Sequence, residues 1–265
     1  MEIKNIHLVY FSATFTTRKV LREIARVIGA SVVEHDFTCG LPFGELRVDG
    51  EGDLLVVGAP VYAGRLPVRA ARAFGMLRGA HTPAIAVCVY GNRDYDDALV
   101  EEQDIIEANG FKTVAAGAFI GRHCIFPKVA AGRPDADDMR KVADFASRCA
   151  DLLGRTVDVT SLPRLNVKGN RPYKQGGAST FSPVGDKDTC SRCMTCVSQC
   201  PMEAIPAGSP WTTDGDRCIA CGRCVVVCPE RSRAFGGDAY RGVEAKFVSA
   251  FSARREPETF FPALG

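Results

Sequence analysis

The sequence predicts an α/β fold with a doubly wound sheet of five parallel strands, followed by a small α+β module rich in cysteine. Three observations carry this prediction. Apolar strand-like runs alternate with amphipathic helical patterns through the first 153 residues, the pattern of a parallel sheet covered by helices on both faces. From about Thr160 to Thr189 the composition turns to Pro, Gly, Ser and Lys with no periodicity. Beyond that stretch, eight of the 12 cysteines fall between Cys190 and Cys228 in two similar runs.

In chain order, strands are expected at about 3 to 11, 31 to 37, 53 to 59, 84 to 90 and 112 to 120. Val20, Ile24, Val27 and Ile28 mark one helical stripe between them. A second helix begins near Tyr95 and closes at Asn109-Gly110. Met139, Val142, Ala146, Cys149 and Leu153 form the stripe of a third, with Pro134 as its first-turn proline. In such a sheet, ligands lie at the carboxyl ends of the strands near the switch point. The expected organisation is a doubly wound domain over 1–160, a linker over 161–185, the cysteine-rich module over 186–236 and a tail over 237–265. Phe251, Phe260 and Phe261 suggest that this tail packs back on the domains.

No apolar run approaches the roughly 18 residues needed to span a bilayer, and the chain does not open on a basic-then-apolar leader, so a soluble, cytoplasmic protein with no membrane span is expected. A net charge of +2, with evenly scattered Lys and Arg, argues against nucleic acid as a partner. Without a secretion signal, the cysteines read as metal ligands or redox groups rather than as disulfides. Cys39, Cys88 and Cys149 have no motif around them, and Cys88 and Cys149 read as small core residues.

Cys190-x2-Cys193-x2-Cys196-x3-Cys200-Pro201 is repeated as Cys218-x2-Cys221-x2-Cys224-x3-Cys228-Pro229, the spacing of bacterial two-cluster ferredoxins. Three thiolates two residues apart can wrap three corners of a cubane from one tight loop. The fourth corner comes from the other run. Cys190, Cys193, Cys196 and Cys228 are therefore expected to hold one [4Fe-4S] cluster, and Cys218, Cys221, Cys224 and Cys200 the second. Structural zinc is the competing reading, but zinc sites pair two knuckles and have no use for a third x2-spaced Cys followed by Cys-Pro. Ala204-Ile205 and Ala234-Phe235 are expected to shield the clusters. Basic and acidic residues balance across this module, so no strongly acidic docking face is indicated.

The first strand runs into Ser12-Ala13-Thr14-Phe15-Thr16-Thr17, a hydroxyl-rich turn at a helix start, where N–H groups and the helix dipole favour a phosphate. An N-cap is the simpler reading of this turn alone. Two further loops join it on the same sheet edge. Pro60-Val61-Tyr62-Ala63-Gly64 offers glycine and a stacking face, and Tyr90-Gly91-Asn92 with Tyr95 is a second glycine-containing aromatic loop. Together they describe a site for a mononucleotide flavin, FMN.

Here the chain resembles the flavodoxins, and more closely the flavodoxin-ferredoxin fusion proteins, over nearly its whole length. The resemblance is carried by the loop from Phe11 to Thr17, by Pro60 to Pro67 and Val89 to Leu99, by Ala115 to Phe119 and Gly132-Arg133-Pro134, by both cysteine runs and by Arg255-Glu256-Pro257. It implies a flavodoxin-like domain whose residues 12 to 17 hold the FMN phosphate, with the loops around Tyr62 and from Tyr90 to Tyr95 flanking the ring. Flavodoxin phosphate loops carry Gly where this chain has Phe15, and Phe tolerates positive φ poorly. The turn is thus expected to avoid that geometry or to be rebuilt, or Phe15 covers the ligand.

The function that follows is electron transfer between FMN and two [4Fe-4S] clusters, with redox proteins or a flavin-reducible small molecule as partners and a homodimer as one candidate assembly. The alternative is an FMN-dependent reductase of a small organic substrate, recognisable by a roomy pocket over the ring with proton donors. A sensing module that uses the clusters only as scaffold is a third class, which the flavin loops disfavour. His123 and Cys124 follow the fifth strand on the ligand edge and are secondary candidates near the flavin. The acid-rich stretch Asp94, Asp96, Asp97, Glu101, Glu102, Asp104 and Glu107 reads as a solvated helix face.

Overall fold

The structure is a computed structural model that describes residues 1–177 and 179–263. In chain order, β1 (Asn5–Tyr10), α1 (Thr16–Ile28) and β2 (Ser31–Asp36) lead through the two-residue β3 (Leu46–Arg47) to β4 (Asp53–Pro60). Then come α2 (Val68–Phe74), the short β5 (Leu77–Arg78), β6 (Thr82–Tyr90), α3 (Ala98–Ala108), β7 (Phe111–Ile120) and α4 (Ala136–Arg155). The long strands align in the order β2-β1-β4-β6-β7 with every neighbour parallel. Counting long strands alone, this is the 2-1-3-4-5 order of flavodoxin-like doubly wound folds. The short β3 and β5 pair with each other in a separate two-stranded sheet.

Helices cover both faces, so β6 is buried at every residue and β4 at all but its last, and both read as continuous apolar runs rather than alternating ones. On one face, Val20, Leu21 and Ile24 of α1 and Val142, Phe145 and Cys149 of α4 pack against Leu8, Val56 and Val87. On the other, Phe74 of α2 and Leu99 and Ile106 of α3 meet Val9, Val57 and Cys88. Helix α4 starts at Ala136, two residues later than a first-turn Pro134 suggests. Asp135 is its N-cap, in a reciprocal box with Asp138, and this satisfies first-turn N–H groups while Pro134 stands just outside.

The acid-rich stretch is not a solvated face. Asp97, Glu101 and Glu102 are buried, and the segment from Arg164 to Lys174 lies along α3 as a basic belt. Arg171 reaches Asp104 at 2.7 Å, Arg164 reaches Glu107 at 2.7 Å, Lys168 reaches Asp94 at 3.0 Å and Lys174 reaches Asp96 at 3.0 Å. Asp97 accepts from the backbone N–H of Asn170 and Lys174. The charges find partners some 60 or more residues away, which helix periodicity cannot reveal.

After that belt come β8 (Val184–Gly185), α5 (Thr195–Ser198), α6 (Arg223–Val226), β9 (Arg233–Ala234), α7 (Asp238–Phe251) and β10 (Glu258–Phe260). β8 and β9 pair antiparallel and close the cysteine-rich module. The sequence repeat is also a backbone repeat. Arg192 and Ala220 share a left-handed φ of 55° and 52°, and Met194 and Gly222 one of 63° and 72°, at matching places in the two runs. The tail adds a sixth strand the sequence reading lacked: β10 pairs antiparallel with Ala116–Ala118 and covers the β7 edge. Three residues are too few to display a strand period. Among the described residues, no helix is long and apolar enough to cross a membrane.

Candidate functional site

At the carboxyl edge of the sheet, a cleft opens between the doubly wound domain and the cysteine-rich module. It holds two adjoining cavities of about 390 and 540 Å3, which share Thr14, Thr16, Arg122, His123 and Cys124 as walls. The first takes its lining from all three candidate loops: Ala13, Thr14, Thr16 and Thr17, then Pro60, Val61, Tyr62 and Ala63, then Tyr90 and Gly91. The switch between the β1 and β4 connections places these loops side by side.

Local chemistry shapes each loop. Ala63 and Gly64, both at positive φ (51° and 83°), make a two-residue reversal closed by hydrogen bonds between Tyr62 and Arg65 in both directions. That turn projects Tyr62 into the cleft, edge-on to Phe11, and burial holds its phenol neutral with a pKa well above the ordinary value. Gly91 is required where it stands. A Cβ there would meet the His123 ring at 2.6 Å.

The structure does not bring every candidate residue to the cavity wall. Ser12 spends its hydroxyl on the N–H of Arg18 at 3.0 Å, tying the turn to α1. Asn92 is buried and donates its amide to the carbonyls of Phe251 and Ala253 at 2.7 and 2.8 Å, so it anchors the tail. Tyr95 lies in the core with its hydroxyl on Glu258 at 2.7 Å, and Gly64 packs on Asp96. The tail occupies this side of the third loop, which nothing local to Asn92 or Tyr95 announces.

Phe15 does adopt the glycine-like geometry, at φ 66° and ψ −3°, as the residue preceding α1. A left-handed non-glycine residue costs about 1–3 kcal/mol and must be held by its surroundings. The Phe15 ring is so held, with the guanidinium of Arg18 at 4.9 Å and that of Arg223 at 4.4 Å. Among the described residues, the backbone N–H groups of Ala13, Thr14, Thr16 and Thr17 take no acceptor within the protein. Lys19 and Arg122, which line the second cavity, form no ion pair among them. Unspent N–H groups at a helix start beside cations without an ion-pair partner fit a phosphate, and a cleft walled by Tyr62, Tyr90 and Gly91 fits a planar ring.

Several wall residues lay outside the sequence candidates. Phe126, Phe181, Val243 and Phe247 roof the first cavity from three separate segments. No sequence motif marks these four positions. His123 stacks with Phe126 at 5.2 Å and meets Phe247 at 4.8 Å. Its Nδ1 accepts from the N–H groups of Ile125 and Phe126 at 3.2 and 3.1 Å, which leaves the ring proton on Nε2. Burial, aided by Arg93, lowers its pKa to about 4, so the imidazole is neutral at pH 7. Burial likewise pushes the Cys124 thiol up to about 11.

The cysteines gather in two sets. One small cavity is lined by Cys190, Cys193, Cys196 and Cys228, and another by Cys200, Cys218, Cys221 and Cys224, each taking its fourth cysteine from the other run. Among the described residues, no three His, Cys, Asp or Glu side chains converge as ligands of a lone metal ion would. Each set rings a space instead, which suits a cubane with four irons better than a single zinc. Ala204 and Ile205 line the second set's cavity, where the Ala204 N–H approaches Cys200 Sγ at 3.3 Å. Ala234 and Phe235 instead line the second cavity of the cleft. Cys193 is exposed, whereas Cys221 and Cys224 are buried. Ile219 and Ala220, inside the second cysteine loop, form part of the wall of the first cavity.

Residues 182–229 match the 4Fe-4S dicluster domain family. No curated protein matches the chain. Among solved structures, the doubly wound part is similar to a flavodoxin of Streptococcus pneumoniae TIGR4, at 15% identity and a TM-score of 0.40 over 57% of this chain and 99% of that one. It is similar at 13% identity and 0.40 to a Fusobacterium nucleatum flavodoxin bound to flavin mononucleotide, over 56% of this chain and 98% of the other. Rubredoxin oxygen:oxidoreductase from Desulfovibrio gigas aligns at 14% identity and 0.39 over 58% of this chain and 37% of its own. It is the strand order, not these low scores, that makes the fold flavodoxin-like. With a flavodoxin-like doubly wound sheet in front and a 4Fe-4S dicluster match behind, the chain has the organisation of a flavodoxin-ferredoxin fusion protein.

Proposed function

We propose that this protein is an electron relay between FMN, seated in the cleft at the carboxyl edge of the sheet, and two [4Fe-4S] clusters in the module behind it. The observation that carries the reading is the shared wall: Ile219 and Ala220 belong both to the loop of Cys218 and Cys221 and to the first cavity. FMN exchanges electrons in pairs or singly and such clusters exchange them one at a time, so the pairing joins two-electron to one-electron partners. The phosphate falls to the N–H groups of Ala13, Thr14, Thr16 and Thr17, with Lys19 and Arg122 beside them, and the ring to Tyr62, Gly91 and Tyr90. Cys200, Cys218, Cys221 and Cys224 would hold the cluster next to the flavin. Cys190, Cys193, Cys196 and Cys228 would hold the one facing solvent, through which a protein partner exchanges electrons.

A second reading rests on His123, a neutral ring that lines both cavities and carries its proton on Nε2. A proton-bearing group there suits reduction of a small organic substrate. Anaerobic purification tests the main reading: about eight iron and eight sulfide per chain are expected, together with released FMN. Zinc in place of iron removes the clusters from the reading, and iron without flavin removes the relay. Steady turnover of a small organic acceptor that collapses in His123→Gln would favour the reductase instead.

A further inference from the structure

The residue that should weaken a flavin phosphate loop, Phe15, is the one on which the cysteine-rich module is fastened. Arg223 stands between Cys221 and Cys224 and is buried at 8% exposure. Its guanidinium lies 4.4 Å from the centre of the Phe15 ring. Nη1 approaches the carbonyl of Ala13 at 3.3 Å and that of Ser12 at 3.5 Å, while Nη2 donates to Gln199 Oε1 at 2.7 Å. Gln199 precedes Cys200, so Arg223 is braced by both stretches of chain that supply the second set of cysteines.

A trans peptide is planar, with its N–H directed opposite to its C=O. Drawing the carbonyls of Ser12 and Ala13 toward Arg223 therefore aims the N–H groups of Ala13 and Thr14 the other way. Those two N–H groups are among the ones with no protein acceptor, and their residues line the cleft. The planar fork and stacking of Arg are what this geometry uses, and Lys supplies neither. The cysteine loop is seated on the sheet domain beside this contact, with Cys221 and Ile219 packed into one of the domain's apolar cores, while the module's own core is small and includes Cys196, Ile205 and Cys224.

We propose that Arg223 is a positioning residue for the flavin phosphate, holding the 12–15 turn through Phe15, so that assembly of the cluster on Cys200, Cys218, Cys221 and Cys224 tightens FMN binding in the neighbouring domain. The proposal rests on FMN occupying the cleft. In the anaerobic full chain stripped of flavin, FMN and the phosphate-free riboflavin are titrated back and followed by flavin fluorescence, with iron and sulfide measured on every sample. Arg223→Gln is expected to raise the Kd for FMN about ten- to hundredfold and to leave that for riboflavin within about twofold. Arg223→Lys should behave as Gln does. Phe15→Gly, which keeps the turn geometry and alters no residue of either cysteine run, should show the same phosphate-specific loss at unchanged iron, and so decides the matter if Arg223→Gln fails to assemble clusters. Wild-type chain stripped of iron should show it too. Equal FMN affinity in wild type, Arg223→Gln and Phe15→Gly overturns the proposal while the flavin reading stands. Parallel losses for FMN and riboflavin, or full rescue by Lys, overturn it as well. A wild type that binds neither flavin takes both readings down together.

Discussion

At the scale of single residues, the cleft is built from side chains whose neighbours alter their ordinary chemistry. His123 is the sharpest case. An unfolded histidine takes its proton near pH 6.5, and the buried one resists until about pH 4. Between those values the unfolded chain binds a proton that the folded chain refuses. Stability present above pH 6.5 is therefore lost as pH falls toward 4, by about 3 kcal/mol at most. Urea midpoints of the flavin-free protein should fall across that interval in wild type and stay flatter in His123→Gln; superimposable slopes would count against the burial argument. Phe15 makes the complementary point. Its strain is local, but the guanidiniums that hold it come from Arg18 on its own helix and from Arg223, more than 200 residues away.

At the scale of elements, the ends of α4 and β7 are fastened by the C-terminal tail. Arg133 and Asp138 form a buried pair, their side chains 6% and 2% exposed, with Nε donating to Oδ2 at 2.7 Å. Arg133 also donates to the carbonyl of Arg255 at 2.7 Å, and Arg254 reaches Asp135 at 2.7 Å. Two motifs that are far apart in sequence, Gly132-Arg133-Pro134 and Arg255-Glu256-Pro257, thus meet over the start of α4. Removing one partner of a buried pair leaves the other charge uncompensated, so Asp138→Asn should cost about 3–5 kcal/mol in chemical denaturation. A loss below about 1 kcal/mol would mean the pair is a surface ornament. The basic belt on α3 obeys the same logic at lower stakes, because its cations are half exposed and their contributions are screened.

At the scale of the whole molecule, two units of unequal self-sufficiency share one cleft. The doubly wound sheet carries two large apolar cores, one on each face. The cysteine-rich module has a small core of its own in which Cys196 and Cys224 are counted, with Cys221 lodged in a sheet-domain core, and four-residue helices. Cluster assembly on its cysteines would supply free energy that the module's own small core does not. Chelating the iron is therefore expected to leave most of the helical circular dichroism signal intact, because α1, α3 and α4 lie in the sheet domain, while protease sensitivity rises between Cys190 and Cys228. Loss of most helical signal on chelation would show that the sheet domain leans on the module for its own stability.

The sequence by itself determined whatever is written in local repeats. Strand and helix periods gave the doubly wound sheet, and the cysteine spacing gave the cluster motifs, because backbone pleat, helical turn and cubane geometry each act over a few neighbouring residues. Only the tertiary structure decided which residues face the cleft. It sent Asn92 and Tyr95 to the tail, roofed the cavity with Phe126, Phe181 and Phe247, covered the acidic face of α3 with a distant basic belt and placed Arg223 on Phe15. Each of those outcomes depends on contacts between segments far apart in the chain. Charge, burial and stacking partners are properties of neighbours in space, and no local pattern records them.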